Sequence, residues 1–222
     1  MGPRISVNKL GEYMTATPSR RRQIVKDQKN KPAFKAARYK DAREIITTFI
    51  ASGMIDDEVA LDAAEALRED QSGTDFAIQD RFNCADAIEK FVELSGDIDL
   101  GSLVPIASPE AASDSLELSG VRVSIRPDAL LLDKDSHEVV GCIKLHFAKS
   151  QPLDEKGGAY VATAMRAYLE TVISSPSVVN PTRCYVVDIA TRTIYLAPKA
   201  VKRRMDDLSA ACEEIKDRWA NL

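Results

Sequence analysis

Asp128 and Lys144 are the residues of this 222-residue chain whose types and spacing most directly suggest chemistry. Asp128 stands in Arg126-Pro127-Asp128-Ala129-Leu130-Leu131-Leu132. After a polar turn, Lys144 stands at the centre of Val139-Val140-Gly141-Cys142-Ile143-Lys144-Leu145-His146-Phe147. The two runs read as a β-hairpin that brings a carboxylate to an ammonium. Side chains alternate across a strand, so Ile143, Leu145 and Phe147 share an apolar face while Cys142, Lys144 and His146 share the other. Desolvating a lysine in mid-strand costs several kcal/mol unless a carboxylate or phosphate meets it, and Asp128 is the natural partner. One outcome is a structural Asp128–Lys144 salt bridge with no chemistry. The other is metal-dependent hydrolysis of a phosphodiester. There, carboxylates hold Mg²⁺ or Mn²⁺ through oxygen ligands, and the metal helps activate a water and neutralises phosphate charge. The lysine orients that water or stabilises the transition state. His146, on the same face, offers a phosphate contact or an acid–base group, against the plainer reading of a satisfied sheet histidine.

Other chemistries find less support. No Ser/His/Asp array stands out, and two histidines, His137 and His146, exclude a histidine-rich metal site. The four cysteines, Cys84, Cys142, Cys184 and Cys212, are far apart and form no C-x-x-C pair, which disfavours a zinc ribbon. Gly157-Gly158 lacks the spacing and the following Lys-Ser/Thr of a phosphate loop.

The net charge of −4 hides a segregation. Residues 1–43 carry a net +9, residues 44–120 a net −15 and residues 121–222 a net +2. A basic segment on an acidic protein suggests a polyanion contact. Its alternatives are a solvated basic helix, or one docked on the chain's own acidic stretch. Arg20, Arg21, Arg22, Lys26, Lys29, Lys31 and Lys35 form the candidate phosphate-contacting set, giving affinity without sequence choice. Tyr13, Phe34 and Tyr39 are nearby aromatics that either stack on bases or pack in the core.

The elements that must position these groups follow from periodicity and punctuation. Short helices are expected around Lys9–Tyr13, capped by Ser6, and over Arg20–Lys29, opened by Pro18 and Ser19 and broken at Lys31-Pro32. Apolar stripes predict helices over Tyr39–Ser52, Asp56–Arg68 and Cys84–Leu94. The stretch 101–115, rich in Pro, Ser and Ala, reads as a loop. From Leu116 the period becomes strand-like: 116–118, 121–125, 129–132 and 139–147. A long helix over Leu153–Ile173, a hairpin of Cys184–Ile189 with Thr193–Leu196, and a terminal helix over Pro198–Trp219 complete the chain. The expected organisation is a helical region over residues 1–100, including the basic arm 1–43, packed on a core over 116–222. The class is α+β or α/β, with a mixed central β-sheet flanked by helices and a helical N-terminal half. No apolar run approaches the roughly 18 residues of a membrane span, and the polar N-terminus lacks a signal-peptide h-region. A cytosolic protein with reduced thiols is expected, with no membrane partner.

Arg126-Pro127-Asp128 followed after thirteen residues by Cys142-Ile143-Lys144 resembles the PD-(D/E)XK nuclease-like superfamily. The resemblance covers roughly residues 116–197 and includes the helix directly after the motif strand and the further strand pair. The opening, Ser6–Tyr13 followed by Pro18 and the arginine run, is similar to the start of RecB-like nucleases. The resemblance implies a restriction endonuclease-like fold and Mg²⁺- or Mn²⁺-dependent cleavage of DNA, with RNA as the alternative substrate. It also implies Asp128 as metal ligand and Lys144 as a catalytic group, with His146 a further catalytic candidate from its place on the Lys144 face. One part departs from the pattern. The acidic residue of the (D/E)XK triplet aligns with Cys142, a soft ligand poorly matched to Mg²⁺. Catalysis then requires a carboxylate from elsewhere: Glu138, Asp154 or Glu155 from the flanking segments, or Glu44 or Glu89 from an upstream helix. Each is otherwise a solvated helix or turn charge. Without such a carboxylate, the fold serves as an inactive nucleic-acid-binding or protein-interaction subunit. A third reading is an unrelated α+β domain.

Overall fold

The computed structural model describes residues 2–30, 38–109 and 115–222. Eight strands and seven α-helices are formed among them. Five strands make the main sheet, in the order β2 (Val104–Ala107), β5 (Ala129–Leu132), β6 (Val139–His146), β7 (Cys184–Asp188) and β8 (Thr193–Leu196). β5 and β6 are the expected antiparallel hairpin, with Ala129 opposite Ile143. β7 runs parallel to β6 and pairs Cys142 with Cys184. The connection between them carries α6 (Glu155–Tyr168), as a parallel crossover requires.

The two-residue period of the central strands divides the core. Ala129, Leu131, Ile143, Leu145, Tyr185 and Val187 face one hydrophobic layer, shared with α3 (Lys40–Ala51), α4 (Asp57–Glu69) and α5 (Asp75–Ser95). Leu130, Cys142, Cys184 and Val186 face the other, built by α1 (Val7–Thr15), α2 (Pro18–Lys29), α6 and α7 (Lys202–Ala220). Both faces of the sheet are therefore covered by helices, which is why β5 and β7 read as near-continuous apolar runs.

Three features differ from the sequence expectation. The strands form two sheets rather than one, the second being β1 (Arg4–Ser6), β4 (Val121–Ser124) and β3 (Ser115–Leu118). β1 lies parallel to β4, with Ile5 opposite Val123. Three residues directly before a helix carry too short a pattern to announce a strand. The N-terminal hundred residues also contribute to the core itself: β1, α1 and α2 build the same hydrophobic cluster as α6 and α7. Finally, the stretch expected as a loop, 101–115, contains edge strand β2, where Pro105 sits opposite Leu131. A proline is tolerated on an edge but hid the strand from a propensity reading.

Helix ends follow ordinary capping. Thr74 accepts from the Ala77 N–H at 3.3 Å and so starts α5 nine residues before the expected Cys84, ahead of its apolar stripe. Asp154 accepts from the Gly157 N–H at 2.7 Å and caps α6. The long helix expected to Ile173 is α6 to Tyr168, then a π-helical turn over Leu169–Ile173. Gly157 and Gly158 have a packing role: a Cβ on Gly158 would lie 2.3 Å from the Tyr195 ring, and one on Gly157 would lie 3.3 Å from the Gly11 carbonyl oxygen. Glycine there lets β8 and α1 approach α6 closely. No helix among the described residues is long and apolar enough to cross a membrane.

Candidate functional site

The β5–β6 ladder explains why Asp128 stands where it does. The Asp128 N–H still donates to the Ile143 carbonyl at 2.8 Å, but the chain then turns away at Pro127. The next inward N–H of β6, that of Leu145, is met instead by the Asp128 carboxylate, at 2.7 Å to Oδ2. The same oxygen accepts from Lys144 Nζ at 2.7 Å. Oδ1 accepts from the Arg43 guanidinium. The expected pair is thus formed, within a three-donor arrangement: Asp128 is 6% exposed and Lys144 7%.

Arg43 comes from α3 and is held from a second side, with its guanidinium carbon 5.0 Å from the Phe147 ring centre. Tyr39 stacks on the same ring, with centroids 5.2 Å apart. The upstream helix therefore does reach the site, but with Arg43 rather than Glu44. Neighbouring helix residues point roughly 100° apart. Glu44 instead lines an open cleft between α3 and α4.

Burial pushes the Asp128 carboxyl up. Lys144, Arg43 and the Leu145 N–H outweigh that and hold it below the usual carboxylate range. Burial lowers the Lys144 ammonium, against the pull of Asp128. The trio sets one carboxylate against two basic side chains.

Cys142 shares the Lys144 face and is completely buried beside its in-register neighbour Cys184. The contact with Cys184, together with burial, raises its thiol well above the ordinary value. A buried, soft sulfur at this position is poorly matched to Mg²⁺ or Mn²⁺. The other proposed ligands lie elsewhere. Glu89 on α5 makes a two-pronged pair with Arg68 of α4, 2.7 Å on one side. Glu155 opens α6 and lines a cleft with Arg203, Arg204 and Asp207 of α7. Glu138 is exposed at the hairpin turn and Asp154 is the α6 cap. Among the described residues, no three His, Cys, Asp or Glu side chains converge to hold a metal ion. The donor set around Asp128 does not fit Mg²⁺ or Mn²⁺: both carboxylate oxygens already accept from donors, and the neighbours are cations.

His146 is also a buried structural group, 3% exposed. Its Nε2 lies 3.0 Å from the Gln151 carbonyl oxygen. A carbonyl can only accept, so Nε2 carries the proton. Burial lowers its pKa, which the Gln151 carbonyl and Asp188 only partly oppose. Asp188, 3.9 Å away, was not anticipated from sequence. It is fully buried at the end of β7, accepting from the Leu153 N–H at 2.7 Å and the Thr191 N–H at 3.1 Å. It ties the approach to α6 to the turn after β7. Its sequence signal is Asp188-Ile189-Ala190-Thr191, an Asx-type turn between two strands.

Among the described residues of the basic arm, Arg20, Arg21 and Lys29 are committed inward. Arg20 Nε donates to Glu12 at 2.6 Å, and Glu12 is itself 7% exposed. Arg21 donates to the Tyr13 carbonyl at 3.0 Å and to Glu214 at 3.2 Å. Lys29 donates to the Trp219 carbonyl at 2.8 Å, near the end of α7, where a cation suits the helix dipole. Arg22 and Lys26 are exposed, one helical turn apart, and make no ion pair among the described residues. Lys31, Phe34 and Lys35 lie outside the described residues. Tyr13 is core. Comparison of the sequence with protein-family models and with curated proteins returns no match.

Proposed function

We propose that this chain is a non-catalytic protein of PD-(D/E)XK-like architecture that binds nucleic acid without cutting it. The observation that carries the reading is the engagement of both Asp128 oxygens, with Lys144 and the Leu145 N–H on one and Arg43 on the other. A nuclease needs that carboxylate, and a second one, open to a metal. Here the second position is a buried, protonated cysteine. The likeness in architecture is supported by the antiparallel β2-β5-β6 arrangement, the helix crossover to parallel β7, and the helices on both faces.

Nucleic acid is favoured as ligand by the charge segregation of the sequence and by Arg22 and Lys26, which stand exposed on α2. Binding is through phosphates and without sequence choice. Four reduced, buried thiols suit a cytoplasmic setting.

The test is fluorescence anisotropy with labelled duplex and single-stranded DNA and RNA at about 50 and 200 mM salt. Binding is expected to weaken steeply with salt. Arg22→Glu/Lys26→Glu is expected to weaken it and reduce the log–log salt slope by about two. No binding at the lower salt overturns the reading. So does metal-dependent hydrolysis that Asp128→Ala abolishes, which would restore the nuclease assignment.

A further inference from the structure

The acidic half of the chain contains an unpartnered apolar surface. α4 packs chiefly against α5 and touches α3 only sparsely, and the resulting gap is an open cleft of about 590 Å³. Ile45, Phe49, Val59, Ala63 and Leu67 supply its apolar lining. Val59 is 65% exposed. Ile55, which lies in the chain between the lining residues Ser52 and Asp56, is 85% exposed. These are the two most exposed large aliphatic side chains among the described residues. Leaving such side chains in water is costly, and a contiguous apolar strip with a polar rim marks an interaction surface.

The rim has one sign. Asp41, Glu44 and Asp56 line the cleft and are exposed, and none is in an ion pair among the described residues. α4 itself carries Asp57, Glu58, Asp62, Glu65 and Glu69 against a single cation, Arg68, which is already committed to Glu89. Arg43, the cation adjacent to Glu44 on α3, is committed to Asp128. The cleft lining therefore carries three carboxylates and no basic side chain, the nearest uncommitted cation on α3 being Lys40, exposed at the start of the helix one turn before Glu44.

We infer that the α3–α4 cleft docks a basic amphipathic helix of a partner protein, with its apolar stripe in the groove and its Lys/Arg flanks against the acidic rim. A groove between two helices receives a third helix through anchors at i, i+3, i+4 and i+7 spacing. A small apolar ligand would fill the concavity but leave Ile55 uncovered. A second copy of this acidic surface would bring like charges together. The inference uses a surface distinct from Asp128 and from the α2 arm, so it stands apart from the nucleic-acid reading.

The probe is a fluorescein-labelled helical peptide of Lys and Leu with leucines at helical spacing. It is compared by anisotropy, on the full chain, with a permuted peptide of the same composition. The periodic peptide is expected to bind at least about tenfold tighter than the permuted one. Val59→Asp, at an exposed position, is expected to weaken it about tenfold with an unchanged urea midpoint. About 0.5 M salt is expected to weaken it further. Equal binding of both peptides would reduce the cleft to a general acidic surface and overturn the inference. Binding indifferent to Val59→Asp would also overturn it. So would a dimer in sedimentation that Val59→Asp dissociates, since that assigns the cleft to a second copy.

Discussion

Removing the Asp128 side chain distinguishes a structural ion cluster from a catalytic one. In Asp128→Ala, Lys144 loses its counter-charge while 7% exposed, and breaking a buried pair from one side costs about 3–5 kcal/mol. The Leu145 N–H loses its acceptor as well, and an orphaned buried donor costs about 1–3 kcal/mol. Arg43, whose side chain is 44% exposed, is released to solvent and adds little. The two main terms overlap, because Lys144 and Leu145 share Oδ2. A loss near the upper end of about 3–5 kcal/mol is therefore expected. Asp128→Asn keeps an acceptor for the Leu145 N–H and is expected to cost about 1 kcal/mol less than the alanine change. Asp128→Asn/Lys144→Met removes the stranded ammonium and is expected to return to within about 2 kcal/mol of the parent. Urea denaturation with unchanged m-values reads all three. An active centre holds charge at the expense of stability, and loss of its carboxylate is neutral or stabilising. An Asp128→Ala loss below about 1 kcal/mol, or a double variant no better than the single, refutes the structural account.

Three further outcomes follow. His146, with a folded pKa lowered from 6.5, is bound to fewer protons in the folded than in the unfolded chain within that window. Stability therefore rises with pH there: the contribution is full above about 6.5 and is lost as pH falls below it through the lowered folded pKa; His146→Gln should flatten that part of the urea-midpoint profile, and identical profiles would contradict the assignment. Cys142→Glu places a carboxyl in a position with no exposure beside Cys184, and is expected to lower stability by several kcal/mol without creating Mg²⁺-dependent cleavage in a gel assay. Gly141→Ala puts a Cβ 2.3 Å from the Arg183 carbonyl oxygen, and since backbone must move, a loss of about 1–3 kcal/mol or more is expected by thermal or urea unfolding.

The strongly periodic parts of this fold were legible. The β5–β6 hairpin, the α3 stripe and the β7–β8 hairpin each carry enough alternation or helical spacing to place them within a residue or two. What escaped depends on distant partners. β1 is a strand because β4 lies beside it, and β2 because β5 offers an open edge. Neither segment has the length or the composition to declare itself locally. The basic arm shows the same limit in its charges: Arg20 finds Glu12, and Lys29 finds the Trp219 carbonyl, across contacts that no spacing rule encodes.

The site teaches a narrower lesson about short motifs. Asp128 and Lys144 were found because a mid-strand lysine needs a carboxylate, and that need exists whether or not the pair does chemistry. Asp128 has a second reason to be there: it continues the β6 hydrogen bonding beyond the last paired residue of β5 by accepting from Leu145. Either role alone makes the side chain costly to remove. The presence of the pair is therefore weak support for catalysis. The discriminating positions are those with no structural duty to a carboxylate, namely the residue two before the lysine and the helix residue facing Asp128. Here they are Cys142, buried against Cys184, and Arg43, a cation bound to the same carboxylate. A metal site would need negative charge at both. This chain fills one with a buried thiol and the other with a basic side chain, the reverse of the charge a metal site needs, and that inversion is the ground on which we propose a non-catalytic role.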